Sequence, residues 1–130
     1  MLKSSIAPDG REYPLPSEQD NEQERNLLLQ ITSEQRAKGR KIVAVQGLGF
    51  VGCVMASVVA DAEDKDGKPI YYVHGHQRAS KRSFWKVPVI NTGIPPVSSS
   101  DPEVPAIFHR TVVEKKNFRA TSEDSVYSMV

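Results

Sequence analysis

The chain has 130 residues, with 17 Lys and Arg against 16 Asp and Glu and a formal net charge of +1. That length excludes a second large domain, and the near-neutral charge gives no field to recruit nucleic acid or an anionic membrane. No apolar run approaches the ~18 residues of a membrane span, the start MLKSSIAPDG has no apolar core of signal-peptide length, and the lone Cys53 leaves no internal disulfide and no cysteine metal cluster, so a soluble cytoplasmic chain is expected.

Residues 1–16 contain Pro8, Asp9, Gly10, Pro14 and Pro16 and read as an irregular, extended lead-in. Ser17 then stands as an N-cap before an acidic first turn, and Arg36 and Lys38 precede Gly39, which predicts a helix over 18–38. Its apolar residues Leu27, Leu28, Leu29 and Ile31 cluster at one point instead of forming a stripe, so it is expected to dock by its middle turns with both ends solvated.

From Arg40 the character changes. KIVAVQ is apolar and β-branched without alternation, the pattern of a strand buried on both faces. GLGFVG follows at once, then CVMASVVADA, small and helical in tendency, then a charged turn over 61–67. IYYVHG, bounded by Pro69 and Gly75, is the next strand. Strand, glycine turn, helix, turn and strand make a βαβ unit, whose second strand lies parallel to the first by a right-handed crossover.

Beyond it, SKRSFWKVPVINTG predicts a short helix interrupted or bounded by Pro88, and GIPPVSSS a loop. Asp101-Pro102-Glu103 reads as a cap with proline at the first helical position, opening a helix to about Lys115. FRAT is a third short strand, and Ser122-Glu123-Asp124 opens a last helix. The fold class expected is α/β: a partial Rossmann-like dinucleotide-binding domain over 39–130, truncated before its fourth strand, preceded by a helical extension over 1–38.

Gly47-Leu48-Gly49-Phe50-Val51-Gly52 matches G-x-G-x-x-G in the required context, after a buried strand and before a helix. Gly47 lets the chain turn sharply, Gly49 removes a side chain where a pyrophosphate approaches the backbone, and Gly52 lets helix and strand pack closely. The helix N-terminus offers free N–H groups and partial positive charge to the phosphates. The competing reading is a tight βα turn that binds nothing; all three glycines in context favour a dinucleotide.

An acid usually holds the adenosine ribose about 20 residues past such glycines. Here the strand ends at Gly75-His76-Gln77, with no acid. Gln77 can hydrogen-bond a ribose hydroxyl, but a neutral amide is the weaker and less selective acceptor. Arg78, Lys81, Arg82 and Lys86 follow without an intervening acid. Tolerance of a 2′-phosphate, hence NADP, is one reading; a solvated, basic start to a helix is the other, and it is the commoner fate of exposed lysines and arginines. The candidate cofactor residues are therefore Gly47, Leu48, Gly49, Phe50, Val51, Gly52, Gln77, Arg78 and Arg82.

The stretch KIVAVQGLGFVGCVMASVVADA resembles the opening of the UDP-glucose/GDP-mannose dehydrogenase family, the nucleotide-sugar 6-dehydrogenases, in which an aromatic residue and valine commonly fill the places of Phe50 and Val51. The resemblance continues through YVHGHQ, SFWKVPVINTGIPPVSSSDPEV and FRATSEDSVYS, and KGRKIVAVQG with its preceding helix is similar to a branch carrying an N-terminal extension. It implies NAD as cofactor, with two-step oxidation of a sugar C6 alcohol to a carboxylate in polysaccharide biosynthesis. Two departures stand out. Gln77 falls where the family has aspartate, and the family's catalytic cysteine and lysines belong to parts beyond the segments matched here. No catalytic residue is expected in this chain, which predicts no dehydrogenase activity by itself. The alternative is a stand-alone, non-catalytic module derived from the family that binds a nucleotide or a protein.

Cys53 lies one residue past Gly52, on the packing side of the helix, and reads as a small buried hydrophobe rather than a nucleophile. His74 and His76 share one strand face without a third ligand nearby in sequence, and His109 is distant, so satisfied or solvent-facing histidines are expected rather than a metal site. Ser98-Ser99-Ser100 with Asp101 is explained by a loop and helix cap; Phe84 and Trp85 by helix packing; Tyr71 and Tyr72 by the sheet core. A fourth strand would cover the edge of 41–46. Without it, that apolar edge predicts a homo-oligomer by pairing between copies, with cover by the helix over 18–38 as the alternative.

Overall fold

The computed structural model describes residues 3–130. The chain opens with a short antiparallel hairpin, β1 (Ser4–Ile6) and β2 (Glu12–Pro14), where an irregular lead-in was expected. Its signal is brief: Ala7 N–H donates to the Arg11 carbonyl at 2.9 Å and the Asp9 carboxylate accepts the Arg11 N–H at 3.0 Å, closing a turn over Pro8-Asp9-Gly10. The hairpin is tied to the domain by Ser5, fully buried, whose Oγ accepts the Trp85 N–H at 3.0 Å.

Helix α1 (Glu18–Ala37) starts at the expected serine. Ser17 Oγ accepts the Asp20 N–H at 3.1 Å and the Asp20 carboxylate accepts the Ser17 N–H at 2.9 Å, so two orphan donors are satisfied reciprocally. Its docking differs from expectation. Of the leucine cluster only Leu28 is buried; the buried stripe is Leu28, Thr32 and Gln35, at helical spacing and two-thirds polar. Leu28 joins Val126 and Met129 in a small second core, a full burial worth about 2 kcal/mol.

The main sheet has β3 (Lys41–Gln46), β4 (Tyr71–His76) and β5 (Phe118–Thr121) in the order β3-β4-β5, all parallel. The βαβ reading and the third strand FRAT are both realised. Helix α2 (Phe50–Asp61) connects β3 to β4; α3 (Lys86–Asn91) and α4 (Glu103–Phe108) lie between β4 and β5. β3 is at an edge and pairs with β4 alone among the described residues. Ile42 is buried, but Val43, Ala44 and Val45 are only partly so, which corrects the expectation of a strand buried on both faces. Helix α1 packs on a face of the sheet, where Thr32 reaches His74 of the central strand.

Pro88 sits in the first turn of α3, where its missing N–H costs nothing. The cap of α4 is Pro102, one position later than expected, and the Asp101 carboxylate before it accepts the Glu103 N–H at 2.9 Å. The helix beyond Phe108 widens into a π-helical stretch, His109–Glu114, in which Lys115 N–H reaches back to the Arg110 carbonyl. That five-residue step brings Arg110 and Lys115 onto one carboxylate. Arg110 grips Asp61 through both oxygens at 2.7 Å, and Lys115 adds a contact at 3.0 Å. The Arg110 hydrogen bonds, with Lys115 beside them, hold the Asp61 carboxyl at about 2. The last expected helix is a 3-10 turn, Asp124–Ser128. No described helix is long and apolar enough to cross a membrane.

Candidate functional site

The site is built where β3 runs into α2. At Gly47 the backbone takes φ +82°, and its N–H donates to the His76 carbonyl at 2.8 Å, so the turn stays on the sheet for one more bond. Leu48 then turns inward and is fully buried. Gly49 caps α2 in an extended conformation (φ −70°, ψ −170°), and the first helical bond runs from Cys53 N–H to its carbonyl at 2.9 Å. The N–H groups of Phe50, Val51 and Gly52 therefore precede the helical ladder and are free at the positive end of the helix.

The glycines at 49 and 52 have opposite surroundings. A Cβ on Gly52 would lie 1.9 Å from the Gly47 carbonyl oxygen, so only glycine lets α2 start so close to the turn. A Cβ on Gly49 would meet nothing within 4 Å. The space over Gly49 is open, and the three free N–H groups lie beside it. Phe50 and Val51 flank it as exposed side chains, 54% and 71% accessible. No acidic residue occupies the first turn of α2, so nothing there opposes an anion.

Gln77, just past β4, is brought to this turn. Its backbone N–H joins β4 to β5 through the Thr121 carbonyl at 2.9 Å, and its side-chain Oε1 accepts the Leu48 N–H at 3.0 Å. The amide expected to meet a ribose thus also holds the glycine turn in place. Arg78 is exposed and lines a cavity of about 380 Å³ with Arg25, Ser122, Glu123 and Asp124. Arg82 lies four residues further on, in the turn before α3, where its carbonyl accepts the Trp85 indole N–H at 3.0 Å; no described contact links it to the glycine turn. The sequence reading missed Arg25 and Glu123, paired at 3.3 Å. They come together across 98 positions, and neither carries a local signal.

The other candidates resolve into structural roles. Cys53 is fully buried, its Sγ 3.6 Å from the Phe50 carbonyl, and burial pushes its thiol up, away from the reactive thiolate. His74 is fully buried, with Nε2 3.0 Å from the Thr32 hydroxyl and Nδ1 without a partner. Burial, with Arg119 nearby, holds it at about 4, so it is neutral at pH 7. His76 shares a hydrogen bond with the Tyr127 hydroxyl through Nδ1 at 2.9 Å, tying the C-terminal 3-10 turn to the sheet, and its Nε2 stands 2.9 Å from the exposed Asp124 carboxylate without a hydrogen bond.

A parallel strand–helix–strand unit with a glycine turn at the carboxyl end of its first strand defines a Rossmann-like class of fold. No family model matches the chain, and no curated protein matches it. Among solved structures it is similar to the crystal structure of NDP-N-acetyl-D-galactosaminuronic acid dehydrogenase from Methanosarcina mazei Go1. The TM-score is 0.55 and the identity 28%, over 72% of this chain and 18% of that one. By its name that enzyme is a nucleotide-sugar dehydrogenase, the class the residues resemble. The likeness read from GLGFVG and the segments after it thus extends to a solved dehydrogenase, of which this chain spans 18% of the length.

Proposed function

We propose that this chain forms the N-terminal NAD(P)-binding portion of a nucleotide-sugar dehydrogenase, an enzyme that oxidises the C6 alcohol of a UDP- or GDP-linked sugar to the carboxylate. The observation that carries the reading is the open space over Gly49, bounded by three unpaired helix N–H groups and held in shape by the close approach of Gly52 to Gly47. Such a cradle accepts a pyrophosphate: its oxygens take the N–H groups of Phe50, Val51 and Gly52, and the helix dipole favours their charge. The likeness to a solved nucleotide-sugar dehydrogenase supports the same reading. The bound nicotinamide would supply the hydride acceptor.

The chain's own residues bind and orient. Gln77 fixes the turn through Leu48, and Phe50 and Val51 wall the cradle with apolar groups that displace water. None of the residues at the turn is a general base or nucleophile, and Cys53 is sealed in the core, so this portion contributes binding and not proton transfer.

The test is titration of labelled protein with NAD and NADP. Amide shifts centred on 47–52 are expected, and Gly49→Val, which fills the open space, should abolish them while leaving the remaining spectrum intact. No perturbation of those amides at millimolar ligand would overturn the reading. Shifts by an adenine nucleotide without any by the nicotinamide half would favour the non-catalytic nucleotide-binding module instead.

A further inference from the structure

The hydrogen bond between Gln77 and Leu48 carries information about the ligand. Leu48 offers an N–H, so the atom facing it at 3.0 Å must be the amide oxygen. The orientation of the Gln77 amide is therefore fixed by its partner, and what it has left for a ligand is chiefly an NH₂ group, a pair of donors. A carboxylate at the same place would do the opposite: accept from the ribose hydroxyls and repel a phosphate. Arg78 follows directly, exposed, and makes no ion pair among the described residues. Of the acids lining the adjoining cavity, Glu123 is paired with Arg25 at 3.3 Å, while Asp124 is exposed beside His76.

We infer that the site selects a dinucleotide carrying a phosphomonoester on its adenosine ribose, with the Gln77 NH₂ and the Arg78 guanidinium as donors to the phosphate oxygens. The inference rests on the dinucleotide reading above and deepens it by naming the chemistry at the ribose. Gln77 is then both a positioning residue, through its oxygen, and a specificity residue, through its nitrogen. A guanidinium suits the second part, since its planar fork pairs with two phosphate oxygens at once.

The experiment is calorimetric titration of the full chain with NADP and NAD, and with 2′,5′-ADP, 5′-ADP and inorganic phosphate as probes of the ribose end. NADP is expected to bind at least tenfold more tightly than NAD, and 2′,5′-ADP at least tenfold more tightly than 5′-ADP. Inorganic phosphate should not compete at matched concentration. Gln77→Glu keeps an acceptor for the Leu48 N–H but replaces the NH₂ with a charged oxygen; the NADP-to-NAD preference should fall tenfold or more. Arg78→Ala should weaken NADP tenfold and leave NAD within twofold. Equal affinities, untouched by either variant, would overturn the inference while leaving the dinucleotide site standing, as would a preference for NAD. Failure of both dinucleotides to bind at millimolar concentration would overturn the site and this inference together.

Discussion

On the face of the sheet turned to α2, Val73, Phe118 and Ala120 meet Leu48, Cys53, Ala56, Ala60, Ile90 and Phe108 in one continuous apolar core. On the opposite face, Tyr72, His74, His76 and Arg119 meet the polar side of α1 and the C-terminal 3-10 turn through individual hydrogen bonds: Thr32 to His74, Glu24 to Arg119 at 2.6 Å, Tyr127 to His76. The first face is held by area and close packing, which tolerate exchange among similar shapes. The second depends on named pairs, each of which strands a buried partner when broken. The candidate site belongs to the first face, since the glycine turn is the upper rim of that packing. The polar face holds α1 in place and touches the site through the His76 carbonyl, which accepts the Gly47 N–H, and through Gln77.

The largest effect should come from Gly52→Ala. Its methyl carbon would stand 1.9 Å from a backbone oxygen that cannot swing aside. Either the turn reopens or α2 shifts off the sheet, at a cost of about 3 kcal/mol or more. Urea unfolding would read this as a large fall in midpoint. A midpoint within error of the parent would mean that the turn is not locked by this contact, and the contrast between the faces would lose its apolar anchor.

The polar face should answer to acid instead. His74 is held at about 4, below the ordinary 6.5, because burial penalises its charged form. The unfolded chain takes up the proton first as pH falls, so the contribution is complete above about 6.5 and is lost progressively toward pH 4. Its size is roughly 3 kcal/mol over that window. His74→Gln keeps a hydrogen-bonding side chain and removes the titration, so unfolding midpoints measured from pH 7 to 4 should fall less steeply in the variant. Parallel curves would place the acid sensitivity elsewhere.

Asn117 joins the two kinds of structure. It is fully buried at the entrance to β5, and its Nδ2 donates to the carbonyls of Ala60 and Tyr71, tying the end of α2 to the start of β4. Asn117→Ala leaves both carbonyls without that donor in a dry place, and should cost about 2 kcal/mol. Hydrogen exchange is expected to accelerate around 60–62 and 71–73, with the glycine turn unaffected.

What could be read from the sequence follows the same division. KIVAVQ, GLGFVG, IYYVHG and FRAT announce themselves because an apolar face leaves a run of β-branched residues, and a tight βα turn leaves glycines at steric necessity. The polar face leaves no such trace. Thr32 and His74 are 42 positions apart and Gln77 and Leu48 are 29 apart, and nothing local marks either pair. The hairpin escaped because strands of three residues carry no period, and the π-helical stretch because its register is set by Asp61 drawing in both Arg110 and Lys115. At the site, the glycines were legible and the orientation of the Gln77 amide was not.

The smallest effect, at Leu29, is sharpest when set beside the larger one at its neighbour Leu28 in α1. Leu27, Leu28 and Leu29 look alike in sequence, yet Leu28 is fully buried against Val126 and Met129 while Leu27 and Leu29 are 40% and 52% exposed. Three consecutive residues on a helix point about 100° apart, so only one can face the sheet. Leu28→Ala should therefore cost about 3 kcal/mol through lost burial and an unfilled cavity. Leu29→Ala removes little buried surface, gains slightly in helix propensity, and should stay within about 0.5 kcal/mol of the parent. Thermal unfolding of the two variants side by side separates these outcomes. Equal losses would mean that the helix docks through the whole leucine cluster, as the sequence pattern alone suggests, and that the polar stripe of Thr32 and Gln35 is not what orients it.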